Sequence, residues 1–396
     1  VLFPPTLEEA RARIAAVDPA AYARTRNSLD GAVTRLSPYI THGVVSLPEV
    51  LAGVAARHPL DAQHRFVLEL GWREYFHSTW QHRGKDILAS LHEGLLPDDA
   101  YTRELPADVR QARTEVPVID QAVRTLYATG YLHNHARLWL ASYLVHLRKV
   151  HWRTGADWLV GHLLDGDLAS NHLSWQWVAG TASRKPYLFN AENVTRHAGA
   201  AWHSPGTVVD RSYEALDEIA RGGRPVPGQP AGDGVEEPTL SARPTWGTAP
   251  EPAAVAGRDV WLVHPWALGL PPPDLPAGTV CLGWWPLDHH ARWPWAAQRW
   301  AFVGASMSAV APMQWQADRA ALAAALAGAR SVQTQADGHV RDLLPAGVVQ
   351  RPAPRLFAPV DVACRSFSAW WRRTAAEVRQ LADLPGLAAW QAQQSA

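Results

Sequence analysis

In the first half of the chain, apolar positions recur at helical spacing. Thr6 stands before Leu7-Glu8-Glu9 with Glu9 at the capping-box position, which predicts a helix to about Val17. Over Asp61 to Gln81, Glu69, Trp72, Arg73 and Phe76 fall at i, i+3, i+4 and i+7, one stripe of a long helix that sets a charged pair among aromatic rings. Pro117 to Thr129 reads as another helix, ended by Gly130. The next helix is predicted to run to about Trp152, with Asn134, Arg137, Leu138 and Ala141 on one face. Tyr22 to Asn27 and Val33 to Tyr39 are polar and turn-prone; they read as loop, the second leading into a helix that ends before Pro48. A helix starting near Leu168 and capped by Asp167 puts Asn171 and Trp175 on one face and Trp177 nearly opposite.

The second half has a different rhythm. Gly222 to about Arg258 is rich in Pro, Gly and Ala and reads as a flexible or extended linker. Beyond it come short β-rich runs, Val260 to Val263, Thr279 to Gly283 and Trp300 to Val303. Helical patterns follow at Ala317 to Leu326, His339 to Leu344 and Ser366 to Leu381. Strands alternating with helices predict parallel pairing. The expected organisation is a helical domain over 1–221, a linker over 222–258, and a smaller α/β domain, Rossmann-like with a parallel sheet, over 259–396.

Composition narrows the function classes. With 37 basic and 37 acidic residues the formal charge is zero, so net charge gives no support to nucleic-acid binding, although uneven placement still allows a local basic patch. No apolar run approaches the roughly 20 residues of a membrane span, and no signal-peptide pattern precedes Leu7. Cys281 and Cys364 are the two cysteines, far apart and without metal-ligand spacing, so a reduced, cytoplasmic protein without a disulfide is expected. His133-x-His135 and the pair His77 and His82 lack a third ligand at suitable spacing, and no metal is expected. Eighteen histidines and twenty tryptophans are the oddity, and tryptophans suit stacking or electron hopping as well as core filling.

One stretch gathers unlike chemistry within thirteen positions: Asp165-Gly166-Asp167-Leu168-Ala169-Ser170-Asn171, then Trp175-Gln176-Trp177. This run resembles the flavin-contacting heart of the cryptochrome/photolyase family. Arg35-Leu36-Ser37-Pro38 resembles the family's flavin pyrophosphate loop, with Val33 and Thr34 where Thr-Ser is usual, which implies one lost hydroxyl contact. Glu69, Trp72 and Arg73 match its Glu-x-x-Trp-Arg helix, and the similarity runs from about Tyr22 to Asn190. It implies an all-helical domain holding a U-folded FAD through Tyr22, Thr34, Arg35, Leu36, Ser37, Phe66, Arg73, Asn134, Arg137, Asp165, Gly166, Asp167 and Asn171, with Arg137 and Asp165 paired and Asn171 near the reactive N5 edge.

For DNA, the resemblance implies that Trp72 and Trp177 sandwich a flipped-out lesion, Glu69 bonds a base edge and Arg26 holds a phosphate. Electron transfer would run through Trp175 and Trp152; the usual third tryptophan is absent, leaving Tyr101, Trp139 or Trp158 as the exit. Asn134 and Leu138 stand where a 6-4 photolyase would have histidines. The implied activity is that of a blue-light-driven deoxyribodipyrimidine photo-lyase acting on UV-damaged DNA, with Glu69, Asn171, Trp175 and Trp152 as the catalytic set. The alternatives are a cryptochrome-like photoreceptor without repair, or a photolyase-like flavoprotein recruited to another reaction. Asp288 to Trp300 faintly resembles the family's antenna domain, which normally precedes the flavin domain. The α/β half is thus either a relocated antenna-like domain, its chromophore unidentified, or an unrelated appendage.

Overall fold

The structure, a computed structural model, describes residues 2–228 and 232–395. The linker expected over 222–258 therefore includes three residues, 229–231, outside the described set. The first half of the chain is helical: α1 (Leu7–Ala15), α2 (Pro19–Thr25), α3 (Ser37–Thr41), α4 (Leu47–Ala55), α5 (Arg65–Arg83), α6 (Ala107–Arg110), α7 (Pro117–Thr129), α8 (Asn134–Ser142), α9 (Trp152–His162), α10 (Leu168–Ala179), α11 (Ala191–His197) and α12 (Tyr213–Arg221). The second half alternates: β1 (Leu240–Ser241), β2 (Asp259–Val263), β3 (Val280–Pro286), α13 (Leu287–Arg292), β4 (Trp295–Ala296), α14 (Ala297–Val310), β5 (Met313–Ala317), α15 (Arg319–Leu326), β6 (Ser331–Gln335), β7 (Val349–Arg351), α16 (Phe367–Thr374) and α17 (Pro385–Ser395). The architecture is thus a helical region followed by an α/β region.

Local chemistry sets the helix ends. Thr6, Asp167 and Ser366 each accept the backbone N–H three residues on, capping α1, α10 and α16. Gly130 and Gly180 close α7 and α10 in the left-handed conformation that costs glycine little. Tyr22 to Thr25 are helical, not loop, because Asp18 caps and Pro19 opens the first turn of α2. The helix begun at Ser37 stops at Thr41 rather than reaching Pro48, which instead lies in the first turn of α4 behind the Ser46 cap. The helix expected from Tyr131 to Trp152 is interrupted: a π turn over Tyr143–Leu147 follows α8, and Lys149 has a positive φ of 53°. The Lys149 ammonium donates to the Ile219 and Ala220 carbonyls at the end of α12, so a tertiary contact supports the break.

Five parallel strands form the sheet, in the order β5-β3-β2-β6-β7. Three of them, β5, β6 and β7, have no counterpart in the sequence reading. Trp300 to Val303, expected as a strand, lies inside α14, since a four-residue apolar run looks alike in a buried strand and a buried helix. The turn from His339 to Leu344 is not helical, and the pattern over Ser366 to Leu381 yields a helix only to Thr374. The strand order reverses between β2 and β6, where doubly wound sheets usually leave a crevice. Trp266, just past β2, and His339, just past β6, stack there at 4.3 Å and 2°.

Two compact units emerge, and they do not follow the expected boundary at 221. One comprises residues up to Val17, Thr34–Ser78 and the chain from Leu240; the other comprises Asp18–Val33 and Thr79–Thr239. The span expected as a linker is fastened within both. In the second unit Glu237 accepts from Trp158 Nε1 at 2.9 Å and Arg110 Nη1 at 2.8 Å. In the first, Gln316 Nε2 donates to the Trp246 carbonyl at 2.9 Å.

Candidate functional site

The second unit carries the Asp165–Trp177 run. Asp167 ends the turn and caps α10 through the Ser170 N–H, so its carboxylate is committed to the fold as well as to any ligand. Asp165, buried, accepts from Arg137 Nη2 at 2.8 and 3.0 Å, while Arg137 Nε donates to the Leu132 carbonyl. The ion pair read from the sequence is therefore formed. Removing one member of such a pair strands the other's charge in a poorly solvated place.

Asn171 lies one turn into α10, and its Nδ2 donates to the Ala156 carbonyl at 2.9 Å. Because a carbonyl can only accept, the amide orientation is chemically determined and Oδ1 is turned elsewhere as an acceptor. His172, fully buried, fixes the same helix: its nitrogens lie 3.0 Å from the Leu168 carbonyl and 2.8 Å from Asp157 Oδ1. Burial is the largest influence on its pKa and lowers it, against the pull of Asp157. His172 and Asp157 were missed by the sequence reading, although His172 sits inside the run that drew attention.

The ring of Trp175 is buried against Gly155, where an added Cβ would come within 2.3 Å of ring carbons. Trp152, one turn before Gly155 on α9, is buried and donates from Nε1 to Ser90 Oγ at 3.0 Å. His151 follows at 5.7 Å between ring centroids, and the half-buried Tyr101 stands edge-on to His151 at 6.2 Å. Trp139 and Trp158, the other exits considered, are bonded through Nε1 to Asn193 and Glu237. Trp177 points away from the core, 41% exposed, with Tyr187 5.5 Å from it.

Near the start of α8, Asn134 is exposed, and the sequence-adjacent His133 and His135 are joined by His197, whose ring lies 5.5 Å from His135. Burial first, then the neighbouring His133, His197 and Arg26, push the His135 pKa down to about 4. Among the described residues no group of three or more His, Cys, Asp or Glu side chains could hold a metal ion. Tyr22 is half-buried on α2, and Arg26, at its end, donates to the Ala23 carbonyl.

The remaining expected residues lie in the first unit. Arg35 is exposed with a φ of 52°, Thr34 Oγ1 accepts from the Leu36 N–H at 3.3 Å, and Ser37 opens α3. On α5, Phe66 is buried, Arg73 is half-buried, and Glu69 lies 4.0 Å from Arg65 rather than pairing with Arg73. Trp72 differs from expectation. Its ring is stacked on Phe367 of α16 at 4.2 Å and 10°, so the platform expected for a lesion already carries an aromatic partner.

The residues fit a flavin in part. Arg137 and Asp165 are paired, and with Nδ2 of Asn171 committed to the Ala156 carbonyl its Oδ1 is the acceptor left, the polarity that suits a ring N–H. Residues 66–209 match the FAD binding domain of DNA photolyase. A deoxyribodipyrimidine photo-lyase of Streptomyces griseus is 36% identical over 156 residues, 38% of this chain and 33% of that protein. A cryptochrome DASH of Idiomarina loihiensis is 32% identical over 183 residues, 44% of this chain and 41% of that protein. The chain thus spans well under half the length of these relatives. Among solved structures, a cryptochrome of Synechocystis sp. aligns with a TM-score of 0.46 at 23% identity, over 57% of this chain and 54% of that one. No helix among the described residues is long and apolar enough to cross a membrane. Over residues 66–209, then, this chain is similar to the FAD-binding domain that photolyases and cryptochromes share.

Proposed function

We propose that the protein is a FAD-dependent, blue-light-driven DNA photolyase of the cytoplasm that splits cyclobutane pyrimidine dimers. The observation that carries this reading is the arrangement around the Asp165–Trp177 run: Arg137 of α8 on Asp165, the Asn171 amide oriented by Ala156 of α9, Trp175 buried and Trp177 exposed. When bound and reduced, FAD supplies an electron under blue light, and the protein's part is orientation and electrostatics. Arg137, Asp165 and Asp167 would hold the cofactor, and Asn171 would accept a hydrogen bond from it. Asparagine adds no negative charge there, whereas an aspartate would disfavour an anionic ring. Trp177 offers a flat, solvent-facing ring on which an extruded pyrimidine could stack; photolyases are among the base-flipping enzymes, and a damaged base costs less to extrude.

The test uses protein purified in the dark, chemically reduced and mixed with ultraviolet-irradiated oligothymidine, following the return of thymine absorbance under blue light. Recovery with many turnovers per flavin supports the reading; no recovery from protein that holds FAD defeats it. One observation favours a second reading, a photoreceptor without repair: the Phe367 ring on Trp72 occupies a face that repair would need.

A further inference from the structure

The C-terminal segment from Arg355 to Thr374 lies along α5, within the first unit. Several contacts join them, among them Tyr75 on Trp370 at 6.1 Å. Glu74 accepts the backbone N–H groups of Leu356 and Phe357. Trp371 lies over Gly71, where an added Cβ would be 2.7 Å from its ring. Phe367 stacks on Trp72 at 4.2 Å and stands edge-on to Tyr75 at 6.0 Å. α16 itself is two-faced, with Trp370 and Thr374 buried and Ser368, Arg372 and Arg373 exposed.

We propose that α16 is an internal cover on the Trp72 platform, in which the Phe367 ring occupies the place of a stacked pyrimidine, so that this packing and base stacking exclude one another. The proposal rests on the photolyase reading and deepens it by naming what regulates access. The geometry is that of a base on an indole: near-parallel rings whose centroids are 4.2 Å apart. The Glu74 hydrogen bonds and the Trp371 ring over Gly71 are anchors of the segment besides Phe367. The element that covers Trp72 is moreover the one a DNA strand would approach. From Arg351 to Arg379 there are six arginines against Asp361 and Glu377, a local basic excess hidden by the neutral whole-chain charge. Arg365, Arg372 and Arg373 are exposed there, able to meet phosphates before Phe367 yields its place.

The experiment measures equilibrium binding of the full chain to one oligothymidine, irradiated and unirradiated, at fixed salt. Wild type is compared with Phe367→Ala, with Phe367→Leu, which keeps apolar bulk but not a flat ring, and with Trp72→Ala/Phe367→Ala. Both single variants should raise the preference for irradiated DNA by roughly threefold to tenfold, the worth of one aromatic stack, and the double variant should lose that gain. An unchanged or reduced preference in both single variants, with wild type still preferring damaged DNA, overturns the cover and leaves the repair reading standing. No preference in wild type or any variant overturns the repair reading, and the cover with it. A thermal melt of Phe367→Leu within a few degrees of wild type shows that the comparison is between folded proteins.

Discussion

At the scale of single residues, Gly155 decides where Trp175 can lie. An alanine Cβ at that position would come within 2.3 Å of two carbons of the indole ring, far inside contact distance. Neither partner can yield cheaply, since Trp175 is 2% exposed and Gly155 lies inside α9. Helix propensity favours alanine by roughly 0.5–1 kcal/mol, yet overpacking a core costs about 1–3 kcal/mol, and the clash should win. Gly155→Ala is therefore expected to lower the urea midpoint by the equivalent of about 1–2 kcal/mol and to shift the fluorescence of Trp175. A midpoint at or above wild type would mean that the ring has room elsewhere. Asn171 shows a related economy, because the Ala156 carbonyl that orients its amide comes from the same helix.

At the scale of elements, Trp152, His151 and the Tyr101 loop set out a row of rings, with Trp175 of α10 packed on α9 one turn further along. Trp175 lies over Gly155, Trp152 is one turn earlier on α9, and His151 and Tyr101 follow at 5.7 and 6.2 Å. If light-driven flavin reduction draws electrons along this row, Trp175→Phe should slow it at least tenfold, whereas Tyr101→Phe should leave the first electron step intact and shorten the life of the separated charge. Transient absorption distinguishes the two variants, and equal behaviour in both would count against Tyr101 as the exit. Capping and turn residues made this region legible in the sequence: α7 and α10 have the expected ends because Gly130 and Asp167 act locally. The Arg137–Asp165 pair was legible only through a family pattern, since 28 positions separate its members. The break at Lys149 was not legible, because its support comes from carbonyls at the end of α12. Nor was the Phe367 stack: Trp72 and Phe367 are nearly 300 positions apart, and nothing in either local pattern signals the other. β5, with its Met-Gln-Trp-Gln-Ala alternation, and the short β7 depend on sheet neighbours more than on their own composition.

At the scale of the whole molecule, buried titratable groups act in opposite directions on stability as pH changes. His264, His289 and His290 are buried, and desolvation lowers the pKa of each below its ordinary 6.5. His135 and His146 are pushed down to about 4, burial again being the largest cause. Unfolded, each takes up a proton near pH 6.5 that the folded protein refuses, so the stability present above that pH falls as the pH drops toward the folded values. Glu74 has the reverse sign. Burial lifts its pKa from 4.5 to about 7, against the two backbone N–H groups and the charges of Arg355 and His77. Folded protein therefore binds a proton there that unfolded chain releases, and its contribution to stability grows as pH falls from 7 to 4.5. Each proton is worth about 1.4 kcal/mol per pH unit. Several histidines outweigh one glutamate, so wild type should lose stability below pH 6.5. Glu74→Gln removes the opposing leg and should steepen that loss by up to about one proton's slope while relieving the buried charge at pH 8. Urea midpoints at pH 5, 6, 7 and 8 for both proteins test this, and parallel curves would show that Glu74 does not titrate in that window. The same titration bears on α16: Glu74 accepts from Leu356 and Phe357, eleven and ten residues before Phe367, so ionisation there should shift how firmly the C-terminal segment is held against Trp72.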